Sequence, residues 1–215
     1  MVINCISLYD DGMAERKRLF VDAKSGKKDR IETIKWAAQN NYDTLVFPLA
    51  ECSSGLHREY VKLIKKYELT IEAGGRELSL LLPRNLFMFQ SDLFRMEQGK
   101  RQKKYHFCPT NPKTTAVIAE NAQTLFANSM QIVTPKRIFH LLPDEGHENT
   151  WCACPACRAF SPAEQNIIAV NSAADILAKL DPDARISFLD LNNEPEKAGI
   201  TPRRNMFKLV NITKN

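Results

Sequence analysis

The sequence lacks the features of several protein classes. No apolar run among its 215 residues reaches about 18 residues, which argues against a transmembrane helix. Residues 1–6 enter an apolar stretch without a preceding basic region, so we expect no signal peptide and a cytoplasmic protein. The six cysteines lack the spacing of a small secreted domain and are predicted to be reduced thiols.

Nucleotide-binding motifs are also missing. Neither G-x-G-x-x-G nor G-x-x-x-x-G-K-[ST] occurs, so the sequence does not support a dinucleotide site or a P-loop. The net charge of +5 is a mild excess, and the basic runs at 16–18, 27–28 and 100–104 have no interleaved aromatic residues. We therefore interpret these runs as solvated surface, and we expect neither a nucleic-acid partner nor a membrane partner.

The composition is that of one globular domain covering residues 1–215, with 44% hydrophobic and 26% charged residues. Apolar runs predict strands that begin near residues 2, 44, 69, 137 and 185. Helical periodicity, with a capping box at Ser161–Glu164, predicts the intervening helices. The four longer helices are predicted at 29–40, 55–67, 114–130 and 162–180. Before the third of these, the sequence predicts a short helix over 86–96 and a minor strand over 105–108.

Alternating strands and helices predict an α/β fold with parallel strands covered by helices. The two candidate architectures are a (β/α) barrel of the TIM type and an open doubly wound sheet. A complete eight-unit barrel typically needs about 250 residues, and this chain accommodates about six units. We therefore expect a barrel that is incomplete at the C-terminus, with an open edge that a homodimer or a complementing polypeptide could cover.

Two adjacent carboxylates, Asp144 and Glu145, follow the predicted strand 137–142 and Pro143. The carboxyl ends of parallel strands form the active-site face of such folds. Two carboxylates held close together can divide acid and base roles, because the charge of one raises the pKa of the other. This chemistry suits a glycosidic bond. The alternative is that both residues are solvated loop residues or helix caps.

A cysteine-rich segment follows the carboxylates. Cys152, Cys154 and Cys157 form C-x-C-x-x-C and, with His147 upstream, are typical of a Cys₃His zinc site. Cys108 is an alternative fourth ligand. The other interpretation is a buried, metal-free thiol cluster.

Two more side chains are candidates near the carboxylates. His140 lies inside a predicted strand, which favours a hydrogen-bonded histidine of the barrel interior. Trp151 lies close to the carboxylates in the sequence and could stack on a sugar ring.

The runs 139–145 and 151–158 resemble a motif of a bacterial family related to the β-hexosaminidase and α-glucuronidase glycoside hydrolases. In that family a strand ends in Pro-Asp-acid and is followed by a Trp-Cys-x-Cys-x-x-Cys loop. Further segments match the family's sequence in the same order along the chain, so the resemblance covers the chain from about residue 40 onward. They are 72–75, 94–96, 99–101, 107–112, 161–171 and 202–207.

The resemblance implies a (β/α)₈ barrel with catalysis at the strand ends, and hence a carbohydrate ligand. We expect no required cofactor, apart from the possible structural zinc of the cysteine segment. It implies that Glu145 is the general acid. It also implies that Asp144 orients a substrate acetamido group, which attacks the anomeric carbon in place of an enzyme nucleophile. The expected pocket lining is Glu72, Arg76, His140, Trp151 and Asp190.

We therefore predict a glycoside-hydrolase-like protein that binds or cleaves a glycoside. One alternative is a non-catalytic carbohydrate-binding or truncated relic module. The other is a zinc-stabilised α/β protein of unrelated function.

Overall fold

The computed structural model describes residues 3–7, 16–144, 146–147, 150–189, 191, 199–209 and 212–214, with 3–7, 16 and 212–214 described as backbone. In these ranges no helix is both long enough and apolar enough to cross a membrane. The strands are β1 (Ile3–Ser7), β2 (Arg16–Phe20), β3 (Thr44–Phe47), β4 (Thr70–Gly75), β5 (Met96–Glu97), β6 (Lys100–Arg101), β7 (Ile138–Leu141), β8 (Arg185–Leu189), β9 (Met206–Leu209) and β10 (Ile212–Lys214). The helices are α1 (Lys27–Gln39), α2 (Leu49–Ser54), α3 (Arg58–Lys66), α4 (Pro112–Ser129) and α5 (Pro162–Leu180).

Six strands form a parallel sheet in the order β2-β3-β4-β7-β8-β9. The sheet curls into a half-barrel flanked by helices, as in an incomplete TIM-like barrel. This confirms the α/β class and the parallel pairing. The helices predicted at 29–40, 55–67, 114–130 and 162–180 correspond to α1, α3, α4 and α5, and the capping box at Ser161 and Glu164 is formed.

The first parallel strand differs from the prediction. The predicted strand near residue 2 is β1, which pairs antiparallel with β2, so β2 is the first strand of the parallel sheet. The charge pattern of this basic segment predicted solvated surface. Arg18 is instead fully buried, because a carboxylate from another strand neutralises its charge.

The segment between β4 and α4 also differs. In place of the predicted helix over 86–96 the chain forms 3₁₀ turns at Arg84–Met88 and Ser91–Leu93. These runs are too short to overcome the unfavourable nucleation of an α-helix. The predicted strand over 105–108 is reduced to one bridge between Phe94 and Phe107.

The two faces of the sheet bury different sets of side chains. Residues that point outward from the curl join the large core beneath the helices, and residues that point inward form a second cluster. Because side chains alternate along a strand, neighbours such as Leu19 and Phe20 belong to different clusters. The inner cluster comprises Phe20, Val46, Ile138, Leu142, Phe207 and Leu209.

The edges of the sheet lie close together at one point. β10 pairs with β1 at one edge, while β9 forms the other edge, yet only two residues separate β9 from β10. Three peptide units span at most about 11 Å, so the two edges must approach each other there. The outer side of β2 is covered by β1, with which it pairs antiparallel.

A close approach between β4 and β7 requires glycine at position 74. Gly74 has φ of +121°, and a Cβ placed there would lie 2.0 Å from the His140 carbonyl oxygen. We expect Gly74→Ala to destabilise the protein by roughly 3–5 kcal/mol, from the backbone conformation and the clash together. Gly55→Ala is the control, because Gly55 also has positive φ but no atom within 4 Å of the added Cβ. If urea unfolding shows that both variants lose the same free energy of unfolding, the close-packing explanation is contradicted.

Candidate functional site

A chain of buried polar side chains crosses the interior of the half-barrel. Arg18 on β2 donates from Nε and Nη2 to both carboxylate oxygens of Glu72 on β4, at 2.6 and 3.1 Å. His140 on β7 contacts Glu72 Oε2 through Nε2 at 2.7 Å and Ser187 Oγ on β8 through Nδ1, also at 2.7 Å. All four residues are buried, so these hydrogen bonds link four strands without solvent.

The charges of this network compensate each other. Burial would raise the pKa of Glu72, but the hydrogen bond from His140, together with the charge and hydrogen bonds of Arg18, outweighs it and leaves that pKa lowered. Burial lowers the pKa of His140 despite the opposing effect of Glu72. We therefore assign a neutral His140, whose Nε2–H donates to Glu72 and whose Nδ1 accepts from Ser187. Arg18 is then the cation that balances the Glu72 carboxylate.

A cleft of about 760 Å³ opens at the carboxyl ends of β4 and β7. This is the edge of a parallel sheet at which such folds bind their ligands. The cleft has both acidic and basic side chains in its wall. Its lining includes Arg76, Glu77, Ser79, Leu80, Arg84, Lys103, Lys104, Tyr105 and Asp144.

One oxygen of Asp144 is fixed by a hydrogen bond, and the other faces a buried histidine ring. Its Oδ1 accepts a hydrogen bond from Ser79 Oγ at 2.7 Å, and its Oδ2 lies 3.4 Å from Nδ1 of the buried His106. The His106 ring stacks on Trp151 at 4.3 Å between ring centroids, and its Nε2 lies 2.9 Å from the His147 carbonyl oxygen. The carboxylate is therefore oriented at the wall of the cleft.

Glu77 is a second acidic residue of the cleft and was not among the predicted site residues. Burial raises its pKa. The Leu49 N–H, which donates to Oε2 at 2.7 Å, lowers that pKa, and the charges of Glu51 and Asp144 raise it further. The sequence signal for Glu77 as a site residue was its position two residues after the end of β4.

Four basic side chains make the cleft cationic: Arg76, Arg84, Lys103 and Lys104. Arg84 is the most constrained, since its guanidinium donates to the carbonyl oxygens of Tyr105, Lys103 and Ser79. Burial lowers the pKa of Arg84 to about 10, and the Asp144 charge opposes that change. The two lysines are exposed at the rim.

Four buried cysteines form a cluster beside the cleft. The sulfur atoms of Cys108, Cys152, Cys154 and Cys157 all lie within 4.8 Å of one another. The fourth member is thus Cys108, the alternative in the sequence analysis. His147, the predicted ligand, stacks instead on Tyr105 at 3.3 Å between ring centroids. The spacing of C-x-C-x-x-C favoured a nearby histidine, whereas the fold brings in a cysteine from the preceding βα loop.

The structure separates the other predicted site residues. Arg76 and Asp144 line the cleft, whereas Glu72 and His140 lie in the barrel interior and are bonded to each other. Trp151 is 7% exposed, and His106 covers one face of its ring, so that face is not available to a sugar. Glu145 and Asp190 lie outside the described residues.

The buried ion pair predicts a large effect of removing one partner. Glu72→Gln leaves the Arg18 charge unpaired and should lower the free energy of unfolding by roughly 3–5 kcal/mol. The double variant Arg18→Met/Glu72→Gln removes both charges, keeps an acceptor for His140, and should be less destabilised than Glu72→Gln. Asp175→Asn is the surface control, because it breaks a half-exposed pair with Arg203 and should cost about 1 kcal/mol or less. If urea unfolding shows that the double variant is less stable than Glu72→Gln, the assignment of a buried ion pair is contradicted.

The lowered pKa values predict acid sensitivity. An unfolded histidine titrates near pH 6.5, so the unfolded state takes up a proton there that folded His140 resists. Stability should therefore fall as the pH drops below about 6.5, and Glu72 should add to the loss below about 4.3. His140→Gln should flatten the slope between about pH 6.5 and 5, whereas the exposed control His57→Gln should not. Equal slopes for the wild type and His140→Gln would refute the assignment of neutral His140.

Comparison by sequence finds no matching family profile and no matching curated protein. Comparison by structure finds the GH20 catalytic modules of the pneumococcal exo-β-D-N-acetylglucosaminidase StrH, at a TM-score of 0.60 and 11% identity over 90% of this chain. A second StrH structure, from work on N-glycan recognition and hydrolysis, gives a TM-score of 0.55 and 10% identity over 90% of the chain. A GH36 α-galactosidase of Geobacillus stearothermophilus has a TM-score of 0.43, too low to support an argument.

The chain spans 58% and 57% of the two StrH chains. At this identity the likeness concerns the fold alone. The chain therefore has a glycoside-hydrolase-like fold, similar to that of a GH20 module.

Proposed function

We propose that this protein binds and cleaves a glycoside in the cleft at the carboxyl ends of β4 and β7, with Glu145 as the general acid and Asp144 as the residue that orients the substrate. One observation carries the proposal. Asp144 lines a cleft of about 760 Å³ immediately after β7, the fourth of the six parallel strands. The related hexosaminidases are expected to carry their acidic pair at the same place.

The contacts of Asp144 support an orienting role. Ser79 fixes Oδ1, while Oδ2 has no hydrogen-bond partner among the described residues. Because Oδ2 is enclosed by the protein beside His106, we expect a substrate N–H to approach Oδ1, which can accept a second hydrogen bond. An acetamido group held in this way would direct its own oxygen towards the anomeric carbon.

Glu145 follows Asp144 in the sequence, and its role rests on the resemblance. In the proposed step its proton passes to the glycosidic oxygen as the bond to the anomeric carbon breaks. The acetamido oxygen forms the new bond to that carbon. Water then opens this intermediate and returns a proton to the Glu145 carboxylate.

The charge of the cleft suggests a substrate class. Arg76, Arg84, Lys103 and Lys104 outnumber the two acids of the lining, Glu77 and Asp144. Such an excess raises the local concentration of anions and penalises cationic ligands. We therefore expect a glycoside that carries a carboxylate or another anionic group to bind better than its neutral analogue.

The acid role predicts a loss of activity in Glu145→Gln. This variant keeps the side-chain shape but has no proton to transfer, so turnover of aryl N-acetylhexosaminides should fall by roughly 10²–10⁴-fold. Substrates whose leaving groups need no protonation should lose less. The control is Glu120→Gln, an equal change at an exposed position of α4. A Glu145→Gln variant with unchanged turnover would rule out this residue as the acid.

The orienting role predicts a substrate-dependent effect of Asp144→Asn. Turnover of glycosides that bear an acetamido group should fall more than turnover of glycosides without one, because only the former are oriented by Asp144. Kinetics on matched aryl glycosides measure this difference, and an equal loss on both would contradict the role.

Activity of the wild type must be established first. If pure, folded protein cleaves none of a panel of neutral, N-acetylated and anionic aryl glycosides, the enzyme proposal fails. The non-catalytic carbohydrate-binding alternative would then replace it, provided that the same panel shows binding.

The cationic rim gives a separate prediction. Replacing Lys103 and Lys104 together with alanine should weaken binding of an anionic glycoside by roughly two- to thirtyfold and leave a neutral one unchanged. The control is Lys65→Ala/Lys66→Ala on α3, which removes the same charge at two positions that do not line the cleft. Titration calorimetry at low and high salt measures the effect, which should shrink as salt rises. An equal loss for the neutral glycoside would refute the charge argument.

A further inference from the structure

We propose that Cys108, Cys152, Cys154 and Cys157 bind one structural zinc ion that fixes the stacked His106 and Trp151 behind the Asp144 wall of the cleft. The proposal does not depend on the proposed function, because it rests on the sulfur cluster alone. All four cysteines belong to the βα loops that follow β4 and β7.

The sulfur positions fit a tetrahedral ion. A zinc ion with four sulfur ligands at about 2.3 Å requires sulfur–sulfur distances of about 3.8 Å. The Cys108 sulfur lies 3.7 Å from that of Cys154 and 3.6 Å from that of Cys157. The four side chains are buried, which excludes water from the centre. A packed thiol pair would not bring a third and a fourth sulfur within 4.8 Å.

The surroundings of the sulfurs suit thiolates. The Met96 N–H donates to Cys152 Sγ at 3.3 Å, and Thr110 Oγ1 lies 3.1 Å from Cys157 Sγ. Arg101 Nη1 lies 3.9 Å from Cys152 Sγ and supplies a positive charge. Four thiolates and one zinc ion carry a net charge of −2, so these donors and this cation stabilise the loaded centre. Met96 and Arg101 belong to the small hairpin of β5 and β6.

The ligand set favours zinc in a structural role. Four cysteine ligands complete the tetrahedral coordination of zinc and leave no open position for water or substrate. Soft thiolate donors also select against magnesium and calcium. The ion would therefore act by joining loops.

The position of the cluster indicates which contacts the ion would hold. Cys108 is two residues from His106, and Cys152 is adjacent to Trp151. The rings of His106 and Trp151 stack on each other, and His106 faces Asp144. Joining the two loops through zinc thus fixes the stacked pair that supports the Asp144 carboxylate.

The first test measures the metal in the full chain purified without added zinc. We expect one equivalent of zinc, and X-ray absorption should find four sulfur neighbours at about 2.3 Å. Cys52→Ser is the control, because Cys52 is a buried cysteine of α2 outside the cluster and its loss should leave the zinc content unchanged. Less than a tenth of an equivalent in folded protein, an equivalent of iron, or a disulfide among the four cysteines would overturn the proposal.

The second test separates binding from folding. Cys108→Ser should lose the zinc, and because this variant could fail to fold, Cys108→His provides a fourth ligand of another kind. It should keep one equivalent with three sulfur neighbours and one nitrogen. A Cys108→His protein that retains four sulfur neighbours would show that Cys108 is not a ligand.

The third test addresses the positioning role. Removing zinc from the wild type with a chelator should speed amide hydrogen exchange in residues 94–108 and 150–158 by at least about tenfold. The strands β3 and β4 should keep their protection. Unchanged exchange in both loops after complete zinc removal would refute the role in fixing the cleft wall.

Discussion

The ion pair between Arg18 and Glu72 is the interaction on which the half-barrel depends. A curled parallel sheet turns one face inward, where water is scarce, and a charge placed there must be neutralised by another strand. Glu72 neutralises Arg18 on one side and accepts a hydrogen bond from His140 on the other. Ser187 forms a hydrogen bond with the second ring nitrogen of His140. The first, third, fourth and fifth strands of the parallel sheet are thereby joined through side chains as well as through backbone hydrogen bonds.

This arrangement separates structural from ligand-binding carboxylates. Glu72 and Asp144 both belong to strands or strand ends of the inner surface, but the described partners of Glu72 lie inside the barrel, whereas Asp144 lines the cleft. Behind Asp144, the ring of His106 stacks on Trp151, and the cysteine cluster brings together the loops that carry them. The buried ion pair thus lies between strands in the barrel interior, whereas the cleft lies at the carboxyl ends of the strands.

The sequence predicted what depends on local patterns. The longer helices follow from apolar periodicity and from the capping box at Ser161, and Asp144 was found because a strand ends in Pro143. What it missed depends on partners far along the chain. The run containing Arg18 has a charged pattern, and its neutralising residue lies 54 positions away. Likewise, spacing favoured His147 as the fourth ligand, and only the packing of two βα loops brings Cys108 to the other three sulfurs.

The central claim is that the cleft beside Asp144 is a carbohydrate site, and an NMR titration of the full chain tests it most directly. The titration would follow backbone amide shifts as an N-acetylhexosamine and a hexuronic acid are added in turn. The account predicts saturable shifts concentrated in residues 76–84, 103–105 and 144–151, around the lining of the cleft. Absence of saturable shifts with either sugar, or shifts confined to the amino-terminal ends of the parallel strands, would contradict it.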